Sequence, residues 1–322
     1  MTTPTSLTAP RRIVSLLSSA TEILFALGLG ERVVGISHEC DWPAEATSRP
    51  RVTRSLIDAA ATSDAIDAQV KLHMQTGLPL YEVDATLLES LRPDLIITQA
   101  QCDICAVKYE DVLQIVRDSA VLKHAKVLPL QPNTLSEILN DVIQIGQSTN
   151  ATTAAANFVS ELQTRVQRIA QATSALPAEQ RPKVACIEWI EPLMLAANWT
   201  PELIELAGGQ CSLTRAGQHS VYQAWPEVVA FDPELIIVSP CGFDLERSLH
   251  AARVLPSWPN WPSLAAVQAE RVFVVDGNAY LNRSGPRIVD SLEILAHLLH
   301  PHLFAAPEWS ETRSPAFCQL FH

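Results

Sequence analysis

The chain has 322 residues, of which 48% are hydrophobic and 18% charged, and its formal net charge is −12. This length allows two lobes with separate cores, and the composition is that of a folded protein. The acidic balance argues against nucleic acid as a partner, because no basic stripe is available for phosphates. No stretch reaches the ~18–20 apolar residues needed to cross a bilayer, so we expect no membrane segment.

Short apolar runs that alternate with helical patterns predict an α/β fold of two Rossmann-like lobes with mainly parallel sheets. In chain order, the predicted strands are 12–17, 33–37, 94–98 and 126–130, then 183–188, 193–196, 234–239 and 271–275. The predicted domains are an N-terminal lobe at 11–132, a bridging helix at 133–176, a C-terminal lobe at 182–302 and a tail at 303–322. The last helix is predicted at 286–300, with His297 and His300 on its surface.

The predicted bridge contains no proline, and its apolar residues recur at helical spacing. If the helix is continuous, about 40 residues give a rod of roughly 60 Å. Gly146 and residues 148–153 could interrupt it.

The two halves share a rough repeat. Residues 91–98 match residues 231–238, and both runs predict a helix end, a proline turn and a buried strand. Residues 18–28 likewise match 198–209, where each run predicts a helix that ends at glycine.

Unusual side chains collect after the predicted strands, where open parallel sheets bind ligands. Tryptophan and tyrosine faces at these positions would suit a flat, largely apolar ligand such as a tetrapyrrole, although ordinary packing also explains single tryptophans. The candidate ligand-binding residues are His38, Glu39, Trp42, Gln99, Gln101, Glu188, Trp189, Trp199, Phe243, Tyr280 and Arg283.

A second set could bind a metal. His38, Cys40, Cys102 and Cys105 offer one imidazole and three sulfurs, a combination that suits zinc. The Cys-x-x-Cys pair could instead be redox-active, or the thiols could simply be buried beside a core-bonded histidine. Seven cysteines, an odd number, do not suggest a disulfide framework.

Four motifs carry a family resemblance: RIVSLLSSATEILFALGLGERVVGIS, LESLRPDLIIT, WTPELIELAGG and RSGPRI. They resemble the cobalamin- and iron-chelate-binding proteins of ABC importers, and are most similar to the cobalamin-binding branch. The resemblance covers residues 11–301 and implies two lobes joined by one long backbone helix. It also implies a corrinoid held between the lobes by aromatic residues, with Trp189 and Tyr280 in matching positions and Arg283 near a matching loop residue.

The resemblance also bears on partners and location. Importer members dock on the permease through one surface glutamate per lobe, and these positions hold Thr86 and Pro226 here, with Glu89 and Glu227 close by. The aromatic residue that the family places at Gln99 is missing. Residues 1–10 show no secretion signal, which predicts a cytoplasmic location, or a periplasmic one if a signal has been removed.

The sequence therefore predicts non-enzymatic binding of a cobalamin-like corrinoid or another metal chelate in a cleft between the lobes. The alternative is a cytoplasmic zinc- or iron-binding protein or metalloenzyme that uses the His/Cys cluster, with Glu39 or Glu188 as acid/base. A scaffold that has kept the fold and lost the ligand is a third possibility.

Overall fold

The computed structural model describes residues 9–100, 106–308 and 315–320. The chain divides into two compact units. Unit 1 comprises Met1–Ala59, Val70–Pro132 and Leu139–Ser160, and unit 2 comprises Ala60–Gln69, Asn133–Ile138 and Glu161–His322. The sequence placed residues 60–69 in the first lobe, so their membership of unit 2 is a difference from that expectation.

Unit 1 is built on a parallel sheet with the strand order β2-β1-β5-β6. The elements from the N-terminus to residue 130 are β1 (Ile13–Ser15), α1 (Ser18–Ala26), β2 (Val33–Ile36), β3 (Thr53–Ser55), α2 (Ser63–Thr76), β4 (Tyr81–Val83), α3 (Ala85–Leu91), β5 (Leu95–Gln99), α4 (Tyr109–Asp118) and β6 (Lys126–Leu130). Ile13 pairs with Val33 on one side and with Leu95 on the other. These central strands are buried throughout and begin with apolar residues, because the unit buries both of their faces.

A separate two-stranded antiparallel sheet, β3 with β4, belongs to unit 1. The chain between these strands contains α2, whose first half lies in unit 2 and whose second half lies in unit 1. We call residues 60–69 the strap.

Unit 2 is built on a sheet with the order β11-β10-β9-β7-β8, parallel in the centre and antiparallel at both edges. Its elements after residue 180 are β7 (Val184–Trp189), β8 (Met194–Leu195), α7 (Thr200–Leu206), α8 (Trp225–Phe231), β9 (Leu235–Val238), α9 (Leu245–Ala252), α10 (Ala265–Gln268), β10 (Val272–Val275), α11 (Ile288–Leu299) and β11 (Phe317–Gln319). The core on this sheet includes Ile187, Ile236, Val274 and Trp261, all buried.

Short 3₁₀ turns complete the described elements, at Gly30–Arg32, Ala44–Ser48, Ala178–Gln180, Leu255–Ser257 and Trp261–Ser263.

The eight strands predicted from the sequence are confirmed, with ends that shift by one or two residues. The repeat is also confirmed in its geometry. The C-cap residue of α3 is Arg92 and that of α8 is Asp232, and both have a left-handed conformation (φ 43° and 49°). Each is followed by a proline and then by a buried strand.

The predicted bridging helix is not continuous. It forms two helices, α5 (Leu135–Ser148) and α6 (Thr152–Ser174). Asn150 adopts a left-handed conformation (φ 58°), and the amide of Ala151 donates to the carbonyl of Gly146 at 2.7 Å, which is the hydrogen bond of a Schellman helix end. A Cβ added at Gly146 would lie 2.4 Å from the Cβ of Ala155, so glycine allows the close approach of the two helices.

Two smaller expectations also change. His300 was predicted on a helix surface, but it is buried, with Nε2 3.1 Å from the carbonyl oxygen of Gly208. The tail was predicted without an element, but it contributes β11, in which Cys318 pairs with Val274.

Candidate functional site

His38 follows β2 in unit 1 and is held by the residues of the β3–β4 pair. Its Nδ1 lies 2.7 Å from the hydroxyl of Thr53, and its ring centroid lies 5.4 Å from that of Tyr81. The hydroxyl of Thr53 also lies 3.2 Å from the Oγ of Ser37. Thr53 therefore orients the ring through Nδ1, and Nε2 is the ring nitrogen that has no hydrogen-bond partner. A metal would bind at that nitrogen.

The carboxylate of Glu39 covers this nitrogen. Its Oε1 lies 3.1 Å from Nε2 of His38. The angle does not suit a hydrogen bond, and Nε2 has no hydrogen-bond partner although it is buried. Since the side chain of Glu39 is 44% exposed, it is the group that a ligand would displace to reach Nε2.

Cys40 is fully buried, and its sulfur lies 3.1 Å from Oγ1 of Thr21, which in turn donates to Ser15 at 2.9 Å. Cys102, Cys105 and Gln101 lie outside the described residues. Within the described ranges, no group of three or more His, Cys, Asp and Glu side chains is arranged to hold a metal. The four-ligand metal site therefore stays a prediction, of which the structure describes only His38 and Cys40.

Trp42 and Gln99 are the other candidates in unit 1. Trp42 is 36% exposed, so its ring is partly available to a ligand. Gln99 ends β5 and is buried.

In unit 2, the structure brings Trp189 and Phe243 together. Trp189 ends β7, and its ring meets that of Phe243 edge to face at a centroid distance of 5.4 Å. The guanidinium carbon of Arg247 lies 3.5 Å from the centroid of Phe243, in the position of a cation–π contact. Beside Trp189, Glu188 accepts a hydrogen bond from the hydroxyl of Ser220 at 2.6 Å.

Trp199 is buried in unit 2 and remains a predicted ligand contact. It is 6% exposed, and its indole N–H donates to the carbonyl of Leu281 at 2.7 Å. A buried indole whose N–H is satisfied in this way is typical of a core residue.

Tyr280 and Arg283 are also buried in unit 2. The guanidinium carbon of Arg287 lies 5.8 Å from the ring centroid of Tyr280, and Arg283 donates to the side chain of Asn278 at 2.8 Å.

The sequence interpretation missed Thr53, Tyr81 and Arg247. Thr53 and Tyr81 belong to three-residue strands that were not predicted, so their approach to His38 could not be foreseen. Arg247 had a local signal, because it follows Phe243 by four residues and Asp244 caps the helix between them through the amide of Arg247.

A sequence profile of the family described as "Periplasmic binding protein" matches residues 13–279 of this chain. The chain belongs to this family. The resemblance to the cobalamin- and iron-chelate-binding proteins of ABC importers is thereby confirmed.

Relatives cover most of the chain at low identity. The "Uncharacterized ABC transporter substrate-binding lipoprotein YvrC" of Bacillus subtilis is 22% identical over 92% of this chain and 82% of its own length. The "Vitamin B12-binding protein" of Vibrio cholerae is 24% identical over 90% of this chain and 91% of its own length.

Solved structures confirm the predicted α/β fold. The periplasmic vitamin B12 binding protein BtuF of Vibrio cholerae is similar with a TM-score of 0.65 at 21% identity, over 91% of this chain and 98% of that one. The periplasmic heme-binding protein BhuT, in complex with two hemes, has a TM-score of 0.66 at 20% identity, with the same coverages.

Family membership decides the class of function. Members are substrate-binding proteins of ABC transporters, so this chain is a ligand-binding protein and not an enzyme. The metalloenzyme alternative is therefore wrong, and the comparisons give no support to zinc or to a cytoplasmic location. In the described part of the chain, no helix is both long and apolar enough to span a membrane.

Proposed function

We propose that this protein reversibly binds a flat metal chelate, of which a corrinoid is the first candidate and heme the second, for an ABC permease. The observation that carries the proposal is the packed pair of Trp189 and Phe243 at the strand ends of unit 2. Aromatic faces at such positions suit a large, flat, mostly apolar ligand, because stacking and area burial need few hydrogen bonds. The relatives named for vitamin B12 and heme binding support this class of ligand.

The other predicted site residues are proposed as contacts within the unit to which each belongs. In unit 2 we propose Glu188, Tyr280 and Arg283 as polar or aromatic contacts beside the pair. In unit 1 we propose His38, Glu39, Trp42 and Gln99. The Nε2 of His38 would approach the metal of the chelate, because its ring is oriented through Nδ1 by Thr53.

Equilibrium titration tests the proposal. Purified protein is titrated separately with cyanocobalamin, aquocobalamin and hemin, and binding is followed by absorbance and by heat. We expect one of these chelates to bind with a Kd in the micromolar range or below. Trp189→Ala should weaken that binding by about tenfold or more, since removal of a stacked aromatic costs roughly 1–3 kcal/mol.

Trp189→Phe is the matched control. It keeps an aromatic ring and is expected to retain most of the affinity. If none of the three chelates binds at high micromolar concentration, or if Trp189→Ala binds as well as the parent protein, the proposed function is wrong.

A further inference from the structure

The strap belongs to unit 2, but the chain on both sides of it belongs to unit 1. It lies between β3 and β4, which pair with each other in unit 1, and the amide of Leu56 donates to the carbonyl of Leu80 at 2.9 Å to close the excursion. Residues 60–69 nevertheless belong to unit 2. Both ends of the excursion are thus fixed in one unit while its middle packs in the other.

Three side chains of unit 2 donate hydrogen bonds to the strap. The indole N–H of Trp189 donates to the carbonyl of Ser63 at 3.2 Å, and Nη2 of Arg247 donates to the carbonyl of Ala61 at 2.7 Å. The hydroxyl of Tyr222 donates to Oδ1 of Asp67 at 2.6 Å.

Two of these donors belong to the aromatic group of the candidate site. Phe243 is buried; the guanidinium of Arg247 covers one face of its ring, and its ring packs at a steep angle against that of Trp189. Arg247 also donates to the strap at Ala61. A flat ligand can stack on this face of Phe243 only after the guanidinium of Arg247 has left it, which breaks the hydrogen bond from Arg247 to the strap.

The strap is only partly buried. Ser63 is its one buried residue, and the other residues from 60 to 69 are half-buried or exposed. A segment with little burial opens locally at low free-energy cost.

We propose that the strap is a gate over the aromatic surface of unit 2. In its closed position it accepts a hydrogen bond from Trp189 and, through Arg247, covers one face of Phe243; it opens to admit a flat chelate. This inference rests on the proposed function for the identity of the ligand.

Association kinetics test the gate. Tyr222→Phe and Asp67→Ala each remove the hydrogen bond between these two residues, and neither residue is a proposed ligand contact. Stopped-flow mixing with cyanocobalamin and with hemin should show association roughly three- to tenfold faster in both variants, because one hydrogen bond of the closed state is lost. Asp111→Ala, which removes an exposed carboxylate from α4, should associate at the parent rate.

Two outcomes, one kinetic and one at equilibrium, would contradict the gate. The first is an unchanged association rate in both variants. The second is weaker equilibrium binding in both, because the strap would then be part of the ligand contact surface and not a cover.

Hydrogen–deuterium exchange separates failure of the gate from failure of the proposed function. Without ligand, amides of residues 60–69 should exchange faster than those of α6, and faster still in Tyr222→Phe. If no chelate binds to any form, the proposed function is wrong. The exchange rates of residues 60–69 then still measure whether the strap opens. Protection of the strap equal to that of α6, with no change in Tyr222→Phe, would contradict the gate.

Discussion

The buried imidazole of His300 makes the stability of unit 2 depend on pH. It lies against Gly208, whose φ of 86° places the backbone close to the ring. Burial lowers the pKa of His300 below its ordinary value of 6.5, while the hydrogen bond to Gly208 opposes this effect. The carbonyl of Gly208 can only accept, so Nε2 of His300 carries the proton.

This lowered pKa predicts that the folded chain loses stability at acidic pH. The unfolded chain keeps the ordinary pKa, so it binds more protons than the folded chain below about pH 6.5. The contribution of His300 to stability is therefore complete above that pH and decreases as the pH falls toward the lowered folded-state pKa. His300→Gln, which keeps a donor for Gly208, should lose this pH dependence at a cost of about 1 kcal/mol at pH 7.5.

Urea unfolding of both proteins at pH 7.5, 6.5 and 5.5 measures the effect. The difference in free energy of unfolding between parent and variant should shrink at the lowest pH, because the other histidines titrate equally in both proteins. A difference that stays constant across the three values would show that His300 is not the titrating group.

At the scale of elements, the junction between α5 and α6 depends on one glycine. Alanine is a better helix former than glycine, so propensity alone predicts that Gly146→Ala stabilises α5. The structure predicts the opposite, because the added Cβ would lie 2.4 Å from the Cβ of Ala155. We expect Gly146→Ala to lower the free energy of unfolding by about 1–3 kcal/mol, as overpacking does.

The double variant Gly146→Ala/Ala155→Gly supplies the control. It removes the clashing methyl group and should recover part of the stability that the single variant loses. Thermal unfolding of the two variants and the parent decides between the explanations. A single variant as stable as the parent would mean that the junction does not require this close approach.

The same comparison of elements shows what a single sequence can predict. Strands such as β5 and β9 were predicted because each contains a short run of apolar residues, LII in β5 and LIIV in β9. β3, β4 and β11 are three-residue strands with polar or exposed positions, so they carry no such pattern. The break at Asn150 was foreseen only as a possible interruption, because a Schellman end depends on backbone conformation that composition does not specify.

The candidate site was predictable in part for the same reason. His38 and Trp189 were found because they follow strands, and strand ends are where open sheets bind ligands. Their partners Thr53 and Ser63 are distant in sequence and belong to segments with no recognisable pattern. For Trp199, the sequence signal of an aromatic residue near a strand end is the same whether the ring faces a ligand or the core.

For the whole molecule, location is the property on which sequence and comparisons differ. The sequence predicted a cytoplasmic location, or a periplasmic one if a signal had been removed, and the relatives are named as periplasmic or lipoprotein binding proteins. We propose that the protein acts outside the cytoplasm. Fractionation of cells that produce it from its own gene should recover the protein in the periplasmic or membrane fraction, and recovery only with a cytoplasmic marker would contradict this location.

The strap has a consequence for synthesis of the chain. Ser63 precedes its donor Trp189 by 126 residues, and Ala61 precedes Arg247 by 186. At ribosomal rates of about 5–20 residues per second, the strap waits roughly 10–40 s for its last donor to be translated. During that interval the carbonyls of Ser63 and Ala61 have no donor from unit 2, so the strap takes its native place only after most of unit 2 has been synthesised.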